Sequence, residues 1–116
     1  MPLEERDPAY LWDMLLAARK VVASLIGVSF EQYEANEDLR LTVERRIEIL
    51  GEAARRVSQA FRDEHPEIPW KPIIAQRNVL AHEYDEIDNE RIWRVAVERL
   101  PVPVELLEPL VSHLGP

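Results

Sequence analysis

The chain has 116 residues, 47% of them hydrophobic, which suits one domain around one core and leaves too little for a second. The absence of cysteine excludes disulfides and thiolate metal sites, and a formal net charge of −8 excludes a surface that grips phosphate everywhere. Only Lys20 and Lys71 are lysines among 14 basic residues, so arginine supplies the rest and any RNA contact has to be local.

The opening residues 1–7 lack a basic segment followed by an apolar stretch, and no apolar run approaches the ~18 residues that span a bilayer. The expectation is a soluble, unexported, cytoplasmic protein whose residues 1–116 form a single all-α domain. The first helix is expected over 8–26, with Asp7 as N-cap, Pro8 in the first turn and Gly27 at the end. Leu11, Leu15, Ala18, Val22 and Leu25 then fall on one buried stripe. Ser29 with Gln32 three residues on has the form of a capping box, predicting a short helix over 30–35.

A long helix is expected over 36–62, because Leu39, Val43, Ile47, Leu50, Ala54, Val57 and Phe61 recur at steps of three and four. Gly51 inside it costs ~1 kcal/mol relative to alanine, so its missing side chain points to a close helix crossing or a dimer seam. The segment His65-Pro66-Glu67-Ile68-Pro69 stops that helix. A new one is expected from Trp70 to His82 or Tyr84, another over 89–100 with Asp88 as N-cap and Ile87 as its staple, and a last over 104–114 after Pro101 and Pro103.

Chemistry concentrates in Arg77-Asn78-Val79-Leu80-Ala81-His82-Glu83-Tyr84. Histidine, with an unperturbed pKa of ~6.5, is suited to taking or giving a proton near neutrality, and arginine stays charged. Metal-free RNA cleavage needs a base for the ribose 2′-hydroxyl, an acid for the leaving 5′-oxygen and a cation for the phosphorane. On an ideal helix Arg77 and His82 lie about 140° apart. Joint action on one phosphate therefore needs a distorted helix end or the same residues from a second chain, and the second chain is preferred. Asn78, one turn before His82, is placed to fix its tautomer, and Tyr84 to meet phosphate or a base. By spacing alone, a helix-end histidine is more commonly a cap, and an arginine on a half-apolar face more commonly a salt bridge.

Other sites have less behind them. His65 and His113 are isolated, and no histidine pair has the spacing of a helical zinc site, so no metal is expected. With three glycines in all, the glycine-rich phosphate loops are excluded, and no cofactor is expected. Glu44, Glu48 and Glu52 repeat every four residues beside Arg45, Arg55 and Arg56, which predicts pairing within or between helices.

Taken together, six blocks of the sequence resemble the HepT-like branch of the HEPN superfamily: Tyr10-Leu11-Trp12-Asp13-Met14-Leu15, Ser29-Phe30-Glu31-Gln32-Tyr33, the run from Arg45 to Ala54, His65-Pro66-Glu67-Ile68-Pro69-Trp70, Arg77 to Tyr84, and Ile92-Trp93 leading to Leu100-Pro101. The likeness spans nearly the whole chain. It implies an up-and-down bundle of four to five helices, homodimeric, acting as the toxin of a two-protein toxin–antitoxin module. Such toxins are metal-independent RNases whose Arg-x4-His-x-Tyr motif forms a composite site across the dimer. The likeness makes Arg77 and His82 catalytic and Asn78 supporting. It also implies a minimal nucleotidyltransferase antitoxin as partner, which adds AMP to the tyrosine where Tyr84 stands. One departure is Asp85, where relatives often carry an aromatic residue; it adds negative charge beside the expected RNA cleft. The alternative is a non-catalytic HEPN subunit that only binds a nucleotidyltransferase, and blander still is a helical adaptor with a fortuitous motif.

Overall fold

The computed structural model describes residues 6–82 and 88–114, with only the backbone described for 81–82 and 113–114. Among the described residues there is no strand. The helices are α1 (Asp7–Ser24), α2 (Phe30–Ala35), α3 (Glu37–Arg56), α4 (Gln59–Glu64), α5 (Trp70–His82), α6 (Asn89–Arg94), a π-helical segment (Val95–Arg99) and α7 (Pro101–Leu114). The four long helices α1, α3, α5 and α7 make the bundle, and the short ones connect them.

Helix α3 is the centre. It packs against α1 on one side and α5 on the other, while α1 packs in turn on α7. Leu11, Met14, Leu15, Ala18 and Val21 of α1 meet Val43, Ile47, Leu50 and Ala54 of α3 in a single buried core. Among the described residues, α5 finds its extensive packing on α3 alone, so the side of the bundle between α5 and the α6–α7 run is a cleft. No described helix is long and apolar enough to cross a membrane.

Several helix ends follow their sequence signals. Ser29 and Gln32 form the reciprocal capping box, Ser29 Oγ accepting from Gln32 N at 3.1 Å and Gln32 Oε1 from Ser29 N at 2.9 Å. Asp88 Oδ1 caps α6 by accepting from Glu90 N and Arg91 N. The staple expected from Ile87 lies outside the described residues.

Four expectations are corrected. The N-cap of α1 is Arg6, without a side-chain cap bond; Asp7 is buried at 1% exposure and serves a tertiary contact instead. Its carboxylate accepts from Ser58 N at 2.8 Å and from Ser58 Oγ at 2.6 Å. That contact accompanies the second correction: the helix expected over 36–62 ends at Arg56, Val57 turns to extended backbone, and Ser58 Oγ caps α4 by accepting from Phe61 N. The break is invisible to apolar spacing because Val57 and Phe61 remain buried in the same core. Helix α1 also stops two residues early, at Ser24, with Gly27 at φ 72° in the turn that follows. Finally, α7 starts at Pro101 rather than at Val104. Prolines in a first turn remove only N–H groups that have no helical acceptor. Just before it the helix widens, Leu100 N donating to Val95 O at 3.1 Å in the i→i+5 manner of a π-turn.

Because Asp7 ties the start of α1 to the start of α4, Asp7→Asn is expected to cost ~1–2 kcal/mol, as one of two buried acceptors becomes a donor facing Ser58 Oγ. Urea unfolding of the variant checks this, and a midpoint equal to wild type would remove the contact from the stability account.

Candidate active site

Gly51 is where α3 and α5 come closest. A Cβ built there would lie 2.1 Å from Arg77 Cβ, 2.9 Å from Arg77 Cγ and 3.0 Å from the Ile73 carbonyl oxygen. Of the two expectations for this glycine, the helix crossing is the one observed, and the side chain it admits is that of Arg77. The notch seats the arginine stem against the α3 backbone, leaving its side chain 23% exposed.

The guanidinium is then aimed by two neighbours. Nη1 donates to Asn78 Oδ1 at 3.0 Å, and Nη2 lies 3.6 Å from Glu52 Oε1, the residue next to Gly51. Its Nε is buried and has no hydrogen-bond partner among the described residues. Glu52 is shared: Arg55 grips both its oxygens at 2.9 Å, and Arg56 Nε stands 3.4 Å from Oε2. Three guanidiniums thus surround one carboxylate. A cavity of about 380 Å³ beside α3 adjoins this cluster, and Asp13, Glu48 and Glu52 face Arg45, Arg56 and Arg77 in its lining.

The guanidiniums of Arg6 and Arg56 hold the Tyr10 phenol below its ordinary value. Glu52 is held down to about 2, first by the hydrogen bond from Arg55 and then by the charges of Arg55, Arg77 and Arg56, against some desolvation. A carboxylate depressed on folding adds stability above its ordinary value of 4.5 and loses it as pH falls from there toward about 2. Glu52→Gln is therefore expected to flatten the loss of stability across that window, modestly, because the group is partly solvent-screened. Urea midpoints measured from pH 6 to pH 2 test it, and parallel curves for variant and wild type would contradict it.

The glutamate row divides unexpectedly. Glu48 pairs with Arg45 at 3.2 Å and Glu52 with Arg55, but Glu44 is buried and desolvation pushes its carboxyl above the ordinary range. His65 pairs with Glu67 at 3.0 Å, a local contact in the connection before α5. Among the described residues no group of three or more His, Asp or Glu side chains could hold a metal ion.

Of the four predicted site residues, Arg77 and Asn78 are in contact with each other. Asn78 was expected to orient His82; its described contact is with Arg77. Helix α5 continues as regular α-helix to His82, whose side chain lies outside the described residues, as does Tyr84 altogether. Sequence reasoning missed Glu52 as the partner of Arg77. The adjacent Gly51 was the available signal, since a glycine that admits a neighbouring helix also brings its flanking side chains to that helix.

Comparison with known proteins gives the family. A family pattern described as "Ribonuclease HepT-like" matches residues 14–110. The chain belongs to the HepT-like ribonuclease family. A Methanocaldococcus jannaschii protein whose name gives it as a proposed RNase is 34% identical over 100 residues, covering 85% of this chain and 92% of the relative. One from Caldanaerobacter subterraneus, named in the same way, is 32% identical over 92 residues, or 79% of this chain and 82% of the relative. The "Probable ribonuclease HepT" of Thermococcus cleftensis is 30% identical over 92 residues, covering 79% and 84%. No solved structure gives a significant match. The HepT-like match contains α5 entire, and with it Arg77, Asn78 and His82.

Proposed function

We infer that this HepT-like chain is a metal-independent endoribonuclease, acting as a homodimer with Arg77 and His82 as its catalytic residues. The observation that carries this is the seat of Arg77: a notch at Gly51, an aiming carboxylate at Glu52 and an amide at Asn78 hold one guanidinium in a fixed place beside a surface cavity. A regular helix to His82 keeps the two positions about 140° apart, which favours a site completed by a second copy over a distorted helix end.

In the reaction, a neutral His82 imidazole takes the proton of the ribose 2′-hydroxyl while the 2′-oxygen bonds to phosphorus. Arg77 neutralises the phosphorane, and the P–O5′ bond breaks as the other protomer's His82, protonated, gives its proton to the leaving oxygen. The products are a 2′,3′-cyclic phosphate and a 5′-hydroxyl. The test is incubation of the purified protein with RNA in EDTA, with mass spectrometry of the ends. Absence of cleavage, or 3′-hydroxyl ends, would overturn the assignment.

The toxin role, with a minimal nucleotidyltransferase as antitoxin and Tyr84 as the residue it modifies with AMP, follows from the family likeness. Incubating the chain with ATP and such an enzyme should add one AMP at Tyr84, read by peptide mass spectrometry; modification elsewhere with Tyr84 untouched would reject the site. The second reading, a binding subunit without catalysis, is favoured by the −8 charge and by the pairing of Arg77 with Glu52.

A further inference from the structure

Glu52 meets its three guanidiniums on unequal terms. Arg55 takes both carboxylate oxygens at 2.9 Å, through Nε on Oε1 and Nη2 on Oε2. Arg56 Nε reaches Oε2 only at 3.4 Å, and its guanidinium is shared with the Tyr10 phenol. Arg77 comes last. Its Nη2 stands 3.6 Å from Oε1, beyond hydrogen-bond reach, whereas its Nη1 donates to Asn78 Oδ1 at 3.0 Å. The carboxylate that aims the proposed catalytic arginine thus directs its lone pairs at a different one.

This division has two separate causes. Positions 52 and 55 share a helix face, so Arg55 meets Glu52 locally, and a two-point grip fixes the plane of the carboxylate as well as its place. Arg77 is held from its other end, with its Cβ at the Gly51 notch, so only the guanidinium end is left to move.

With side chains 23% and 29% exposed, Arg77 and Glu52 would pair more tightly than at an open surface if the carboxylate were free to turn. Two direct bonds to Glu52 would then occupy N–H groups that a phosphorane needs. Arg55 is half exposed and does not line the cavity at Arg77, so it is placed to act on Glu52 rather than on anything bound there.

We propose that Arg55 is a positioning residue: by gripping Glu52 it keeps that carboxylate near enough to aim Arg77 and too occupied to capture it. The kinetic consequence rests on the ribonuclease reading above, whereas the capture itself does not.

The kinetic test compares wild type, Arg55→Ala, Arg55→Lys, Glu52→Gln and the Arg55→Ala/Glu52→Gln double variant on one RNA in EDTA, at a temperature where all are folded. Capture is a ground-state competition that substrate can displace. Arg55→Ala should therefore raise KM roughly tenfold, the scale of a hydrogen bond to a charged group, with a smaller change in kcat. Arg55→Lys, which holds the carboxylate at one point, should recover part of the loss. In the Glu52→Gln background the same alanine change should have little effect, because the capturing charge is gone. A KM penalty that persists there would make Arg55 a phosphate contact and overturn the proposal, as would wild-type kinetics in Arg55→Ala.

Capture is also read without activity. A urea double-mutant cycle on Glu52→Gln and Arg77→Ala gives the coupling between the two side chains, which should rise when the cycle is repeated on Arg55→Ala. An unchanged or smaller coupling overturns the proposal whatever the kinetics show. Should wild type fail to cleave RNA while the coupling rises, the ribonuclease reading falls and the positioning of Arg77 by Arg55 stands.

Discussion

In EDTA, His82→Ala and Arg77→Ala are each expected to lower RNA cleavage by roughly 10²–10⁴-fold, the scale of losing a proton-transfer group or a cation at the phosphorane. Both chains should keep the wild-type circular dichroism spectrum and melt cooperatively. Arg77→Lys discriminates further. Asn78 and Glu52 meet different guanidinium nitrogens, Nη1 and Nη2, and a lysine ammonium cannot reproduce that fork. It should therefore recover only part of the rate that alanine loses. Glu52→Gln, which removes the aiming charge while Gly51 still seats the stem, should fall between wild type and Arg77→Ala. Cleavage that persists in both alanine variants would place the chemistry elsewhere in the chain or remove it.

The second large effect belongs to Gly51→Ala. Its new Cβ would meet not a flexible tip but the Cβ of Arg77 at 2.1 Å and a backbone oxygen at 3.0 Å, so α3 and α5 must move apart. Overpacking of this kind costs roughly 1–3 kcal/mol, here at the upper end, and the ~1 kcal/mol that alanine gains in helix propensity offsets only part of it. A net loss of about 2 kcal/mol corresponds to a fall in Tm on the order of 8 °C for a domain of this size. Cleavage at a temperature where the variant is fully folded should fall as well, because the displaced arginine no longer points where Glu52 and Asn78 hold it. An alanine variant as stable and as active as wild type would show that the crossing relaxes freely.

Much of the fold was legible because local chemistry and tertiary packing agree. The capping box at Ser29, the cap at Asp88, the stop at His65 to Pro69 and the start at Trp70 each act within a few residues of chain. What stayed hidden involves partners distant in sequence. An aspartate ahead of a helix reads as an N-cap whether or not it reaches across to Ser58, and the apolar spacing through Phe61 runs on past a break that only Val57 and Ser58 make. The prolines at the start of α7 read as interruptions although a first turn accepts them. At the site, the sequence presents Arg77 and His82 as a local motif, but the partner of the arginine lies 25 positions earlier, on a helix whose acids look like an ordinary solvated row.

Helix α5 leans extensively on one neighbour, whereas α1 and α3 each have two. Segments with a single packed face open at lower free energy than those buried on both sides, so amide protons of α5 should exchange through sub-global openings before those of α1 or α3 do. The proposed catalytic arginine thus rides on a long element that packs extensively on a single neighbour. The Gly51 seam that seats it is also the latch on that opening. Anything that binds across the free flank of α5 would slow the opening and hold Arg77 in place, linking occupancy of the cleft to the population of chains competent for catalysis.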